Sequence, residues 1–257
     1  MSPAPTVRIS DISQYLRCPR LVYFEGLESL PSRQDAGRIL LKSLMLSPLL
    51  GTEGAEDTAA AAGDAKASPG LADRLKSILS TLEEELPLVY DLPAGVVEDA
   101  CRELDGAIED MARGLALHLD QLFPCRAEVD LYSDRLGLSG RLDRLAPGMV
   151  PSIIRTGKAP PEGIWKKDRL ALAGYALLLG EKEGLHVNRG LVEYPRSGLV
   201  RDVQIFGVDR ARVLRLRDQI RLIKDGRLPD RPEGAPCEGC PARQKCESRH
   251  SLLSKFF

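Results

Sequence analysis

Three cysteines lie close together near the C-terminus of the chain. In the sequence PCEGCPARQKC, two residues separate Cys237 from Cys240 and five separate Cys240 from Cys246. Pro236 and Pro241 place these cysteines in a loop. Thiols at such a spacing in a chain expected to stay in the reducing cytoplasm indicate a metal site rather than disulfides.

Three thiolates leave one position open on a four-coordinate metal, and Cys18 is the candidate for it. Cys18 lies 219 residues before Cys237 and directly precedes Pro19. Cys101 falls within an apolar helical stripe, which is typical of a core residue, and Cys125 has no partner at metal-ligand spacing. Zinc and iron–sulfur clusters both accept four thiolates, so the cysteines leave these alternatives open, beside four buried free thiols.

A second group of candidate residues lies in the middle of the chain. The segment GRLDRL contains Asp143, the segment IIRTGK begins ten residues after Asp143 and contains Arg155, and the next helical segment contains Tyr175. This order of motifs resembles the PD-(D/E)XK nuclease core in its RecB-like form. The resemblance implies an α/β restriction-endonuclease-like fold, with Asp143 as a ligand to Mg²⁺ or Mn²⁺ and Asp143, Arg155 and Tyr175 as catalytic residues.

The cysteines add to the resemblance, which extends from Cys18 to Cys246. One cysteine before the core and three after it resemble the arrangement in CRISPR-associated RecB-like exonucleases and in helicase-nucleases of the same lineage. In that family the four cysteines hold an iron–sulfur cluster. The resemblance therefore implies a [4Fe–4S] cluster on Cys18, Cys237, Cys240 and Cys246, with zinc as the alternative. Its implied partners are single-stranded DNA and CRISPR integration proteins.

The chain departs from the nuclease pattern at four positions, and the departures concern the chemistry directly. The second carboxylate of the family falls on Ile153, the lysine on Arg155, the glutamine on Ala171, and the histidine of an upstream helix on Leu41. A hydrocarbon cannot ligate a hard cation, which prefers oxygen ligands. We therefore expect a DNA-binding protein with impaired catalysis and little cleavage.

The alternative is an active single-stranded DNA exonuclease that serves CRISPR spacer acquisition or DNA repair. It would require a rearranged metal site, in which Glu128 or Glu162 supplies the missing carboxylate.

The elements that must position these residues can be predicted from periodicity. Alternation or apolar runs predict a mixed sheet with five strands, at 126–132, 138–145, 149–155, 187–194 and 200–206. Asp143 is expected on the polar face of its strand. In the segment 165–180, apolar residues would lie on nearly all sides of a helix, which predicts a helix buried against the sheet.

Helices are predicted in the remainder of the chain. Ser10 is expected to cap a short helix that ends at Pro19, and further helices are predicted at 35–50 and 71–86, the latter followed by a connector between Pro87 and Pro93. A stripe from Val97 to Leu122 predicts one long amphipathic helix. Asp209 is expected to cap the last helix.

These predictions divide the chain into four parts. They are an N-terminal cluster-binding segment (1–29), a helical arch (30–122) with a mobile loop (51–70), a nuclease-like core (123–228) and a C-terminal cysteine-cluster segment (229–257).

Composition excludes some classes of protein. The 257-residue chain has a net charge of −1, which excludes a globally basic nucleic-acid binder but leaves room for a local basic channel. Residues 196–231 are rich in arginine and are a candidate for phosphate contact. The N-terminus lacks the apolar core of a signal peptide and no stretch approaches the length of a membrane span, so we expect a cytoplasmic protein.

Overall fold

The computed structural model describes residues 5–24, 33–51 and 69–247. Its centre is a mixed six-stranded sheet in which β3 is the most connected strand. β3 pairs antiparallel with β2 on one edge, and on the other edge with β1 in parallel and with β4 antiparallel; β4 continues in parallel to β5, and β5 antiparallel to β6. The strands are β1 Val7–Arg8, β2 Arg126–Ser133, β3 Leu138–Ala146, β4 Val150–Ile154, β5 Arg189–Tyr194 and β6 Leu199–Gln204.

The five predicted strands and the α/β class are confirmed, with shifts of one or two residues at the strand ends. Only β1 is absent from the prediction, because two residues are too few to show an alternating pattern.

One face of the sheet is covered by α1 Ile9–Arg17, α8 Lys166–Glu183 and α9 Gly207–Lys224, with the short α2 Pro19–Tyr23 beside them. The predicted helix 165–180 corresponds to α8, and its apolar residues are buried as expected. Gly140 on β3 allows α1 to approach closely, because a Cβ there would lie 2.9 Å from Ile9 Cγ1 and 3.0 Å from Tyr175 Cε1.

The other face of the sheet carries a helical layer with its own apolar core. Ala146, Ile154 and Leu191 of the sheet pack into this core, which the predicted helical arch supplies. Its helices are α3 Arg33–Leu46, α4 Pro69–Tyr90, α5 Ala94–Asp105, α6 Ile108–Ala116 and α7 Leu119–Leu122. The predicted mobile loop lies mostly outside the described residues, at 52–68.

The prediction of one long helix between Val97 and Leu122 is wrong. The chain breaks after Asp105 and again at Leu117 and His118, which gives α5, α6 and α7. Gly106, a poor helix former, lies at the first break. The apolar stripe is nevertheless buried as predicted, because each short helix turns the same face to the core.

Four predicted helix ends are also corrected. α4 continues through Pro87 to Tyr90, and the exposed last turn tolerates the missing backbone donor. Asp11, rather than Ser10, accepts a hydrogen bond from Arg8 N at the start of α1, at 2.8 Å. Asp209 lies in the third position of α9, where it accepts one from Phe206 N at 3.1 Å. Both carboxylates therefore cap their helix from its third residue and not from the N-cap position. The helix predicted at 35–50 ends at Leu46, and a 3-10 turn follows at Pro48–Gly51.

Candidate nucleic-acid interface and cysteine site

A groove of about 830 Å³ lies between the helical layer and the ends of β4 and β5. Positive side chains dominate among the described residues of its walls, and Asp35 and Asp168 are the only acids among them. The cations are Arg17, Arg38, Lys42, Arg155, Lys158 and Lys167. Within the described part of the chain, Arg17, Lys158 and Lys167 form no ion pair, so their charge is available to an anionic ligand. We call this the basic groove.

Asp143 lies behind the wall of the basic groove, and its side chain is buried rather than exposed. Its side chain is 8% exposed, and one carboxylate oxygen accepts a hydrogen bond from Ile154 N at 2.8 Å. The other oxygen lies 2.7 Å from Lys42 Nζ, on α3. These two donors let the carboxylate be buried at the point where β3 and β4 separate, although the strand pattern predicted a polar environment for it.

Arg155 lies directly after β4 and is held in place by a buried acid. Its Nε lies 2.6 Å from Asp168 Oδ1, and Tyr194 OH donates to the second Asp168 oxygen at 3.1 Å. Asp168 occupies the first turn of α8, where the partial positive charge of the helix end favours a carboxylate. Nε is the donor that Arg155 uses here, so the two terminal amino groups remain for the groove.

Tyr175 is buried on α8, and its hydroxyl donates a hydrogen bond to Arg141 O at 2.7 Å. Burial raises the pKa of Tyr175, the negative charge of Asp143 raises it further, and Arg155 partly offsets the rise. The three predicted catalytic residues therefore lie near one another. Tyr175 is bound to a backbone carbonyl, however, and faces the core rather than the groove.

Behind the site, Arg144 and Glu193 form a fully buried ion pair at 2.8 Å. Ser152 Oγ donates to the second Glu193 oxygen at 2.7 Å, and Arg144 also donates to Met45 O on α3. Burial raises the pKa of Glu193, against the opposing effect of Arg144. This network connects three strands to the helical layer that forms the opposite wall of the groove.

The donor set around Asp143 does not fit a divalent cation. Ile153 and Leu41, at the positions of the family's carboxylate and histidine, are 1% and 0% exposed and belong to the apolar cores. Across residues 5–24, 33–51 and 69–247, no three or more His, Cys, Asp or Glu side chains are arranged to hold a metal ion as they stand. Mg²⁺ needs more oxygen ligands than one paired carboxylate can offer.

The two carboxylates considered as replacements lie elsewhere. Glu128 is 48% exposed and pairs with Arg141 at 3.3 Å. It lines a second groove, of about 440 Å³, which shares Ile39 and Lys42 with the basic groove. Glu162 is exposed in the segment between β4 and α8 and does not line the basic groove.

The arginine-rich segment 196–231 does not line the basic groove. Several of its arginines bind within the protein: Arg196 pairs with Glu103 at 2.7 Å, Arg217 donates to Leu136 O and Arg221 to Pro5 O. The cations of the groove come instead from α1, α3, the segment that follows β4 and the start of α8.

All four predicted ligand cysteines line one small cavity, of about 30 Å³, between the N-terminal and C-terminal segments. Cys18 lies between α1 and α2, and Cys237, Cys240 and Cys246 lie after α9. Arg20 connects the two segments, because it donates to Cys246 Sγ at 3.2 Å and to Pro229 O at 3.0 Å. The structure thus brings together residues that are more than 200 positions apart in sequence.

The chemistry of this cavity suits a thiolate-bound group, although the thiols do not stand at metal-binding positions. Four arginines line it beside the thiols: Arg17, Arg20, Arg231 and Arg243. Four thiolates would carry negative charge, and nearby guanidinium groups stabilise such charge. Cys101 and Cys125 lie outside the cavity, and burial raises the pKa of Cys101 to about 11, as expected of a core thiol.

Sequence reasoning missed several residues of the site, of which Lys42, Asp168 and Trp165 matter most. Lys42 directly follows Leu41, so the helix places a lysine beside the position at which the family has a histidine. Asp168 lies in the charged first turn of α8, so the sequence gives no sign that its carboxylate is buried. Trp165 is 47% exposed on the groove wall, at the N-cap of α8.

A scan against models of known protein families finds no match. An uncharacterized protein of the archaeon Archaeoglobus fulgidus is 25% identical to this chain over 252 residues, which cover 97% of this chain and 99% of the relative. The similarity extends over nearly the whole length of both chains. Within the described residues, no helix combines the length and the apolar character required to cross a membrane.

Proposed function

We propose that this chain is a nucleic-acid-binding protein with a RecB-like nuclease fold, an iron–sulfur cluster of the CRISPR-associated exonuclease type and impaired catalysis. The observation that carries the proposal is the basic groove beside Asp143, Arg155 and Tyr175. A net charge of −1 on the whole chain makes the local excess of cations notable. Such a groove attracts a phosphate backbone without requiring a basic protein.

Single-stranded nucleic acid is the ligand that the groove fits best. Trp165 presents nearly half of its surface at the groove wall, close to Lys158 and Lys167. Unpaired bases stack on exposed aromatic rings, and adjacent cations bind the phosphates between them. Paired bases cannot stack in this way.

Binding can be measured with the protein's own fluorescence, because Trp165 is the only tryptophan of the chain. We expect a single-stranded oligonucleotide to quench this fluorescence, with an affinity that falls steeply as salt rises. Replacing both Lys158 and Lys167 by alanine should reduce the slope of log affinity against log salt by about 1.4, from a contribution of about 0.7 for each lost phosphate contact.

The matched control is Lys182→Ala, at the far end of the same helix α8 and outside the groove. It should leave both affinity and slope unchanged. An affinity that does not depend on salt would contradict the proposal.

The cavity lined by Cys18, Cys237, Cys240 and Cys246 supports the second part of the proposal. Those four residues would hold the cluster, which in this position serves to join the two ends of the chain. Its role is proposed as structural, since Arg17 alone, among the described residues, lines both the basic groove and the cysteine cavity.

Cleavage separates the proposed function from its alternative, the active exonuclease. We expect little or no cleavage of single-stranded DNA with Mg²⁺ or Mn²⁺, because Ile153 and Leu41 leave Asp143 without partner ligands. The nuclease assay compares the wild type with Asp143→Ala and with an attempted rescue, Ile153→Glu combined with Arg155→Lys. Robust wild-type cleavage that Asp143→Ala abolishes would overturn impaired catalysis, and Glu128→Ala and Glu162→Ala would then identify the second carboxylate.

A further inference from the structure

Lys42 occupies an unusual position, at the junction of the two grooves. It lines the basic groove and also the second groove that contains Glu128. Its side chain is 47% exposed, while the Asp143 carboxylate that it binds at 2.7 Å is 8% exposed. The ammonium group thus connects a buried negative charge to the surface at which a ligand would lie.

The Lys42 ammonium group has N–H donors that its pairing with Asp143 does not need. An ammonium group has three N–H donors, and the pairing with Asp143 needs only one of them. Arg155, which lines the basic groove together with Lys42, has two terminal amino groups left after its bond to Asp168. Lysine and arginine together can therefore bind a phosphate oxygen from two sides.

We propose that Lys42 is a tethered cation that replaces the divalent ion beside Asp143, so that phosphate binds at Lys42 and Arg155 without any metal. The inference rests on the proposed function, since the phosphate belongs to the bound nucleic acid. Asp143 holds the ammonium group in position, in the way that it would otherwise hold a metal. The site is thereby committed to binding, because an ammonium group cannot lower the pKa of a water molecule as a bound metal does.

The first test requires no nucleic acid. We expect a titration of the wild type with Mn²⁺, followed by electron paramagnetic resonance, to show no site that binds Mn²⁺ in the micromolar range. Lys42→Glu would place a second carboxylate near Asp143 and should create Mn²⁺ binding, which Asp143→Asn should remove again. Stoichiometric micromolar binding of Mn²⁺ by the wild type at Asp143 would overturn the inference whatever the fate of the proposed function.

The second test uses the oligonucleotide titration. Wild-type affinity should be the same in EDTA as in dilute Mg²⁺ at matched ionic strength. Lys42→Gln should weaken binding about tenfold, as the loss of a charged hydrogen bond does, while the protein stays folded because the glutamine amide can still donate a hydrogen bond to the buried Asp143 carboxylate. Lys182→Ala serves again as the control.

The outcomes distinguish the two ideas. A wild type that does not bind the oligonucleotide at all would overturn the proposed function and this inference together. A wild type that binds only with Mg²⁺, or a folded Lys42→Gln that binds as well as the wild type, would overturn this inference alone. A protein unfolded by Lys42→Gln would also overturn it, because Lys42 would then be structural.

Discussion

Each buried carboxylate in the described part of the chain has a cation of the protein itself as its partner. Asp143 binds Lys42, Asp168 binds Arg155 and Glu193 binds Arg144. Asp11 and Asp209 are paired in the same way, with Lys224 and Arg169. Burial of an ionised group is costly unless it is paired, so these pairs determine where acids can lie in the core. A metal site would require such a partner to be absent.

The Arg144–Glu193 pair gives the sharpest stability prediction for a single residue. Glu193→Ala would leave the Arg144 guanidinium buried without its counter-charge, and should lower the free energy of unfolding by about 3–5 kcal/mol. Denaturant unfolding measures the change.

The matched control is Arg135→Ala, which removes the exposed ion pair between Arg135 and Glu181. It should change the free energy of unfolding very little, because solvent screens exposed pairs. If both variants lost the same free energy of unfolding, the buried ion pair would contribute no more to stability than the exposed one.

At the scale of secondary-structure elements, glycine positions determine how closely α1 approaches α8. A Cβ on Gly174, within α8, would overlap the side chain of Ile9. Gly174→Ala should therefore destabilise the fold by about 1–3 kcal/mol through overpacking. Gly95 in α5 has no atom of the described residues within 4 Å of such a Cβ. Gly95→Ala should stabilise by about 0.5–1 kcal/mol, since alanine favours the helix.

Thermal or denaturant unfolding of both variants provides the measurement. A shift of the same sign in the two variants would contradict the close packing of α1 on α8.

The elements were more predictable than the site, for a physical reason. In the strands and in α8, many residues follow one burial pattern, either alternating or apolar on nearly all sides. Periodicity therefore predicted β2 to β6 and α8. Asp143 could not be placed, because its burial depends on Lys42, a hundred residues earlier in the chain. Likewise, the helix break at Gly106 could not be predicted, because the hydrophobic period from Val97 to Leu122 continues unchanged across it. Local hydrophobic periodicity predicts which face of a helix or strand is buried. Where a charged residue is buried depends on a partner that is distant in sequence, as Lys42 is for Asp143.

At the scale of the whole molecule, the cysteine cavity connects both ends of the chain. We expect protein purified without oxygen to be brown, to absorb near 400 nm, and to contain about four irons per chain. Cys18→Ala should lose iron and unfold at a lower temperature, because metal binding at such a site contributes to folding. Iron analysis and thermal unfolding measure the two effects.

Cys125→Ala is the control, since Cys125 lies outside the cavity, and it should retain its iron. Stoichiometric zinc without iron would contradict the proposed cluster and favour the zinc alternative.

The contact between the two ends of the chain also has a consequence for biosynthesis. Arg20 binds Pro229 O, 209 residues further along. At about 5–20 residues per second, a ribosome needs roughly 10–40 seconds to synthesise that interval. During this time α1 and α2 have left the ribosome while the segment that completes their packing does not yet exist. Ile9 can pack against Gly174 once α8 has emerged, but Arg20 has no Pro229 O to bind until translation is almost finished. A transcript cut short before Pro229 would leave the N-terminal segment permanently without this contact.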